Sequence, residues 1–234
     1  MDRVWHYNCV VFHFYRMVPV DKLKFNSSIE LGNISDKKYN EMTVKNEPML
    51  FSCDWSHAES LGGLITREFL NLLPYQWENA IFDSRVHMLM PGWWPCIPGW
   101  HHDDVPRTRI DGQPNYHDPV NITEHAMFLV NGDIAPTKFA VGELELWEPV
   151  FGRTIYQQWH PLVEYAITNG SLGQVDAPSN RIIYFNHRTF HRGVQAVKGG
   201  WRFFIRATKN SSRKPTNELR KQVQVYLSYP EMGW

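Results

Sequence analysis

The sequence predicts an α+β chain that is mostly β, a sandwich or barrel carrying helices on one outer face. Three observations point there. Short runs rich in Val, Ile, Phe and Trp, separated by Pro and Gly, crowd the last two thirds of the chain. One stretch with helical periodicity precedes them, and no internal repeat or low-complexity tract interrupts the pattern. The 234 residues, 43% hydrophobic and 21% charged, fill one large core and are too few for two, so a single domain over 1–234 is expected. These proportions exclude a disordered, collagen-like or coiled-coil chain. An aromatic content of 14% with ten Trp exceeds what packing alone calls for and suggests a well-walled ligand site.

In chain order, residues 4–14 read as a β-segment, and the polar stretch 21–48 reads as turns or a surface excursion. From Glu59 to Leu73, the residues Leu61, Leu64, Ile65, Phe69, Leu72 and Leu73 recur at helical spacing, and Pro74 closes the helix. Strands are expected over 82–90, 125–131, 138–147, 181–186 and 201–208. Residues 106–124 read as a polar loop, and 152–169 can hold a helical turn around Trp159 to Ile167. The segment 215–234, with Val223, Val225, Tyr226 and Trp234, reads as an extra strand or an interface.

Basic and acidic residues balance at 24 each, but not evenly along the chain. Residues 1–180 hold 13 basic and 22 acidic groups, and residues 181–234 hold 11 and 2. The basic C-terminal third fits an anionic ligand or a solvated face. Cys9, Cys53 and Cys96 are scattered without a CxxC spacing, which points to a reducing, cytoplasmic compartment. No apolar run has the length of a membrane span, so a soluble protein with no membrane partner is expected.

The chemistry concentrates in Pro98-Gly99-Trp100-His101-His102-Asp103-Asp104. A His and a carboxylate two residues apart at a strand end point to one side and can hold one ion together. His101 with Asp103, joined by His191 (191 − 103 = 88 residues later), makes a two-His, one-carboxylate face that leaves open positions on Fe(II). His102 and Asp104 repeat the same spacing, so the register rests on the position of Trp100. His187 falls too early to replace His191 and reads as structural or substrate-facing. Beyond His191, Arg202 and Arg206 share one face of a strand, and two inward guanidinium groups require an anion to answer them.

With these residues the chain resembles the iron(II)/2-oxoglutarate-dependent dioxygenases, whose fold is the double-stranded β-helix, or jelly roll. Trp100-His101-His102-Asp103 is similar to the WHxD element of the taurine dioxygenase and phytanoyl-CoA hydroxylase branches, and His191 with Arg206-Ala207-Thr208 resembles their distal His and arginine element. The likeness covers about 82–208. It implies that His101, Asp103 and His191 bind iron, that 2-oxoglutarate chelates it, and that Arg202 or Arg206 holds the far carboxylate. Ala135-Pro136-Thr137-Lys138-Phe139 is similar to the segment that supplies a threonine to that carboxylate, so Thr137 is a second contact by resemblance. The implied reaction uses O2, releases succinate and CO2, and hydroxylates a second substrate, in that branch more often a small molecule.

Two other readings stand beside it. One is a cupin-like metal-binding jelly roll, a ligand-binding protein or isomerase without oxygen chemistry. The other is a nucleic-acid-modifying dioxygenase, suggested by the basic C-terminal third. Trp93, Trp94 and Trp100 read equally as packing or as pocket wall, Arg107 and Arg109 as loop residues or substrate contacts, and His117 and His125 as surface or core.

Overall fold

The alternation KLKFNS makes a strand, β1 (Lys22–Ser27), that buries Leu23, Phe25 and Ser27 and exposes the residues between them. The computed structural model describes residues 22–118, 122–148 and 154–227, so the β-segment expected over 4–14 lies outside the described residues. The stretch 21–48 is more ordered than expected. Besides β1 it contains β2 (Glu30–Ile34) and a short helix, α1 (Glu41–Lys45). Both strands sit at sheet edges and expose at least one face, which is why their composition reads as loop.

The helix expected over 59–73 is two helices, α2 (Trp55–Leu61) and α3 (Leu64–Leu72), separated by Gly62-Gly63. Both glycines are extended, and a Cβ on Gly63 would lie 2.5 Å from Glu47 Oε2. Glu47 is the reason for the break. Its buried carboxylate accepts backbone N–H groups from Gly63 (3.0 Å), Ile65 (3.1 Å) and Thr66 (2.8 Å), starting α3 as a cap supplied from a distant segment.

The five expected strands appear within a residue or so of their limits: β4 (Ile81–Leu89), β5 (Glu124–Val130), β6 (Thr137–Trp147), β8 (Arg181–Asn186) and β10 (Gly200–Lys209). Short strands β3 (Leu50–Phe51), β7 (Gly173–Asp176), β9 (His191–Gly193) and β11 (Glu218–Leu219) complete the set. One antiparallel sheet runs β2-β8-β5-β10-β4; in the other, β6 pairs with β1, β7 and β9. Pairing of β11 with β3 and a bridge between Tyr226 and Trp94 give part of 215–227 the strand character that was one of its two readings, and Trp234 lies outside the described residues.

The sheets face each other. Met127, Leu129, Ile183 and Phe185 of the first pack against Phe139 of the second, with the Phe139 and Phe185 rings 5.1 Å apart. On the outer face of the five-stranded sheet, Phe82, Val86, Phe128, Phe203 and Ile205 bury against Ile65, Phe69 and Leu70 of α3. One helix backs the other sheet, correcting the expectation of one helical face. The segment 152–169 forms α4 (Ile155–Thr168), whose Ile155, Tyr156, Trp159, Val163 and Ala166 pack with Leu23, Phe25, Ala140 and Leu146. Pro161 inside α4 lacks an N–H and disfavours the helix by about 3 kcal/mol, which the buried stripe offsets. No helix among the described residues is long and apolar enough to cross a membrane.

Candidate metal centre

His101 and His191 lie on neighbouring backbones. Each donates its N–H to the other's carbonyl at 3.1 Å, and β9 in turn pairs with β6 through Phe139 and His191. A Cβ on Gly193 would lie 2.3 Å from Cys96 Sγ, so a glycine is required where the chain before the HxD segment crosses β9. The two imidazole rings are 4.6 Å apart and buried. Each directs Nδ1 to the carbonyl two residues before it, His101 to Gly99 at 2.8 Å and His191 to Thr189 at 3.0 Å. A carbonyl can only accept, so each Nδ1 donates to it, which leaves Nε2 as the ring atom turned toward Asp103 and available to a metal.

Both Nε2 atoms face Asp103, at 3.8 Å from His101 to Oδ1 and 3.1 Å from His191 to Oδ2, and one ligand atom from each of the three residues lies within 4.8 Å of the others. This buried His-Asp-His group can hold a metal ion. Burial, with the neighbouring His191, pushes His101 down to about 4, so it stays neutral and able to ligate near pH 7. Burial alone would raise Asp103, but Arg206 and His191 hold its carboxyl well below the usual range.

His101 and Asp103, rather than His102 and Asp104, group with His191. His102 turns the other way, with its ring 3.8 Å from that of Phe190 and Nδ1 2.5 Å from the Tyr116 hydroxyl. Asp104, at φ +54°, reaches Arg206 at 3.1 Å. Trp100 is fully buried, donates from Nε1 to Glu164 at 2.6 Å, and ties the motif to α4.

Strand β10 points Arg202, Phe204 and Arg206 toward the same cavity, of about 280 Å³. The two arginines differ in what answers them. Arg206 forms a close ion pair with Asp103 and a second with Asp104. Arg202, only 3% exposed, hydrogen-bonds Thr137 Oγ1 at 3.0 Å across the two sheets and pairs with no carboxylate among the described residues. Burial, reinforced by Arg85, lowers it to about 10.

Other candidates fall outside the cavity lining. Trp93 packs with Leu89, Ile134 and Val225. Arg107 bonds the Gly112 carbonyl, and Arg109 pairs with Asp111 and Glu148. His117 meets Glu148, His125 is core beside Thr208, and His187 is buried near Thr123. The uneven charge along the sequence closes on itself in space. Arg192, Lys198, Arg206, Lys209, Arg213 and Arg220 all pair with acidic groups from the first 180 residues. Arg85 and His87 of β4 and Gln224 line the cavity without having been marked from the sequence, and so does Tyr226, which was read only as part of an extra strand or interface. The signal was present: strand alternation places Asp83, Arg85 and His87 as three ionisable groups on one face of β4.

No protein-family model matches the chain, and no curated protein matches it. The site's chemistry therefore has to follow from its own residues.

Proposed function

We propose that the chain is a non-haem Fe(II)- and 2-oxoglutarate-dependent oxygenase that hydroxylates a small molecule, with its two facing sheets forming a double-stranded β-helix. One observation carries this reading. A single cavity brings the His101-Asp103-His191 group together with a buried arginine, Arg202, that hydrogen-bonds Thr137 and lacks a carboxylate partner among the described residues. Two imidazoles and one carboxylate suit Fe(II) and leave positions for a chelating oxo acid and O2. Bound there, the iron would supply oxygen activation coupled to conversion of 2-oxoglutarate to succinate and CO2.

The chain's own residues divide the remaining work. His101 and His191 offer Nε2, oriented by the Gly99 and Thr189 carbonyls. Asp103 offers a carboxylate that Arg206 keeps ionised and positions. Arg202 presents a planar fork, with the Thr137 hydroxyl beside it, to the far carboxylate of 2-oxoglutarate. Met127, Phe185 and Phe204 line the cavity with apolar surface that excludes water.

The test is succinate formation by purified protein. It is expected to require Fe(II), 2-oxoglutarate and O2 together and to be lost in a folded His101→Ala variant. Undiminished turnover by that variant would overturn the ligand assignment. Tight Zn(II) or Mn(II) binding without affinity for 2-oxoglutarate would instead support a cupin-like ligand-binding protein.

A further inference from the structure

We propose that Arg85 binds a second anion, so that the molecule oxidised at this site carries a carboxylate, sulfonate or phosphate group. This rests on the reading of the cavity as a 2-oxoglutarate oxygenase site. Register places Asp83, Arg85 and His87 of β4 opposite Arg206, Phe204 and Arg202 of β10. Asp83 is taken by Arg213 at 3.3 Å and Arg220 at 2.9 Å. His87 is buried and held neutral, chiefly by burial and then by Arg202 and Arg85. Arg85 is half-buried, lines the cavity, lies 6.0 Å from the Phe204 ring, and pairs with no carboxylate among the described residues.

Charge balance leads to the same residue. In and around the cavity, five arginines (85, 202, 206, 213 and 220) meet three aspartates (83, 103 and 104), an excess of two positive charges. A divalent metal adds two and the 2-oxoglutarate dianion removes two, so the excess persists. Arg206, Arg213 and Arg220 have aspartate partners, and the far carboxylate of 2-oxoglutarate would answer Arg202. Asp83, shared by Arg213 and Arg220, leaves one of the two positive charges there, and Arg85, the one arginine of the five with no anionic partner, carries the other. A guanidinium facing a partly desolvated cavity with a neutral amide and hydroxyl nearby, from Gln224 and Tyr226, is a recognition element for an oxyanion. Its position opposite Phe204, midway between Arg202 and Arg206 along the strand, sets that anion between the Thr137 end of the cavity and the metal group.

The experiment is calorimetric titration of the Mn(II)-loaded protein, saturated with 2-oxoglutarate, with acetate, methanesulfonate and methyl phosphate. At least one is expected to bind one per chain, and the preferred one identifies the oxyanion class. Arg85→Gln should weaken it by about tenfold or more and weaken 2-oxoglutarate by less than about threefold at ordinary salt, while Arg85→Lys retains part of the anion affinity. Failure of all three to bind, equal binding by Arg85→Gln, or simple competition between the anion and 2-oxoglutarate would overturn the proposal. If 2-oxoglutarate itself does not bind, the oxygenase reading fails. The same titration without 2-oxoglutarate then decides the Arg85 site, which stands if anion binding is lost in Arg85→Gln and falls if it is not.

Discussion

Replacing Arg202 by methionine separates what this residue costs the fold from what it does for the site. The guanidinium is 3% exposed, with Thr137 as its hydrogen-bond partner and no carboxylate partner among the described residues. The fall from the ordinary arginine value to about 10 corresponds to about 3 kcal/mol of unfavourable burial, at about 1.4 kcal/mol for each pH unit. Losing the Thr137 hydrogen bond takes back about 1 kcal/mol. Methionine fills a similar elongated volume without a charge, so the ligand-free variant should gain about 2 kcal/mol. For a chain of this size that raises Tm by roughly 4–8 °C. The same substitution should weaken 2-oxoglutarate by roughly ten- to a hundredfold or more, as expected for loss of a charge-assisted pair. Thermal unfolding without ligand and an equilibrium titration with 2-oxoglutarate read the two effects separately. A variant that melts below wild type, or that binds 2-oxoglutarate equally well, would refute the reasoning.

Three further outcomes are expected. His102→Ala should leave metal affinity within a few-fold of wild type yet lose about 2–4 kcal/mol in chemical denaturation, because its ring packs on Phe190 and not on the ligand group; a collapse of metal affinity in that variant would reverse the register. Glu47→Ala should destabilise by about 2 kcal/mol, since three N–H groups at the start of α3 lose their acceptor, and hydrogen exchange should show α3 fraying first. His87, pushed down to about 3 by burial and then by Arg202 and Arg85, contributes stability that is fully present above about pH 6.5 and is lost as pH falls toward 3, because the unfolded chain takes up the proton first. Between pH 7.5 and 5 this amounts to about 2 kcal/mol, and a His87→Gln variant should show that much less acid sensitivity in urea titrations.

The parts legible in the sequence were those where one interaction dominates. Five strands announced themselves through β-rich runs between Pro and Gly, and His101, Asp103 and His191 through spacing. Arg202 and Arg206 were correctly put on one face, because alternation along a strand is strict. Which of the two stands without a carboxylate partner was not legible, since the answer depends on Asp104 turning back at a positive φ to meet Arg206. The break between α2 and α3 was hidden because Glu47, the residue that caps α3, lies 16 residues before Gly63. The helical turn read around Trp159 to Ile167 is a full helix, because packing of Tyr156, Trp159 and Val163 carries α4 through Pro161. Strands β1 and β2 were masked by their polar exposed faces, and Arg85 by lying in a strand with no metal-ligand spacing to mark it.

The central claim is that one cavity holds a metal at His101, Asp103 and His191 and an oxo acid anchored on Arg202 and Thr137. Anaerobic titration of the metal-free protein with Fe(II) and 2-oxoglutarate tests it without knowledge of the oxidised substrate. The account predicts a weak visible charge-transfer band that needs both additions, is lost in His101→Ala, and shifts to much higher 2-oxoglutarate concentration in Arg202→Met. Fe(II) binding with no band at any 2-oxoglutarate concentration would contradict it.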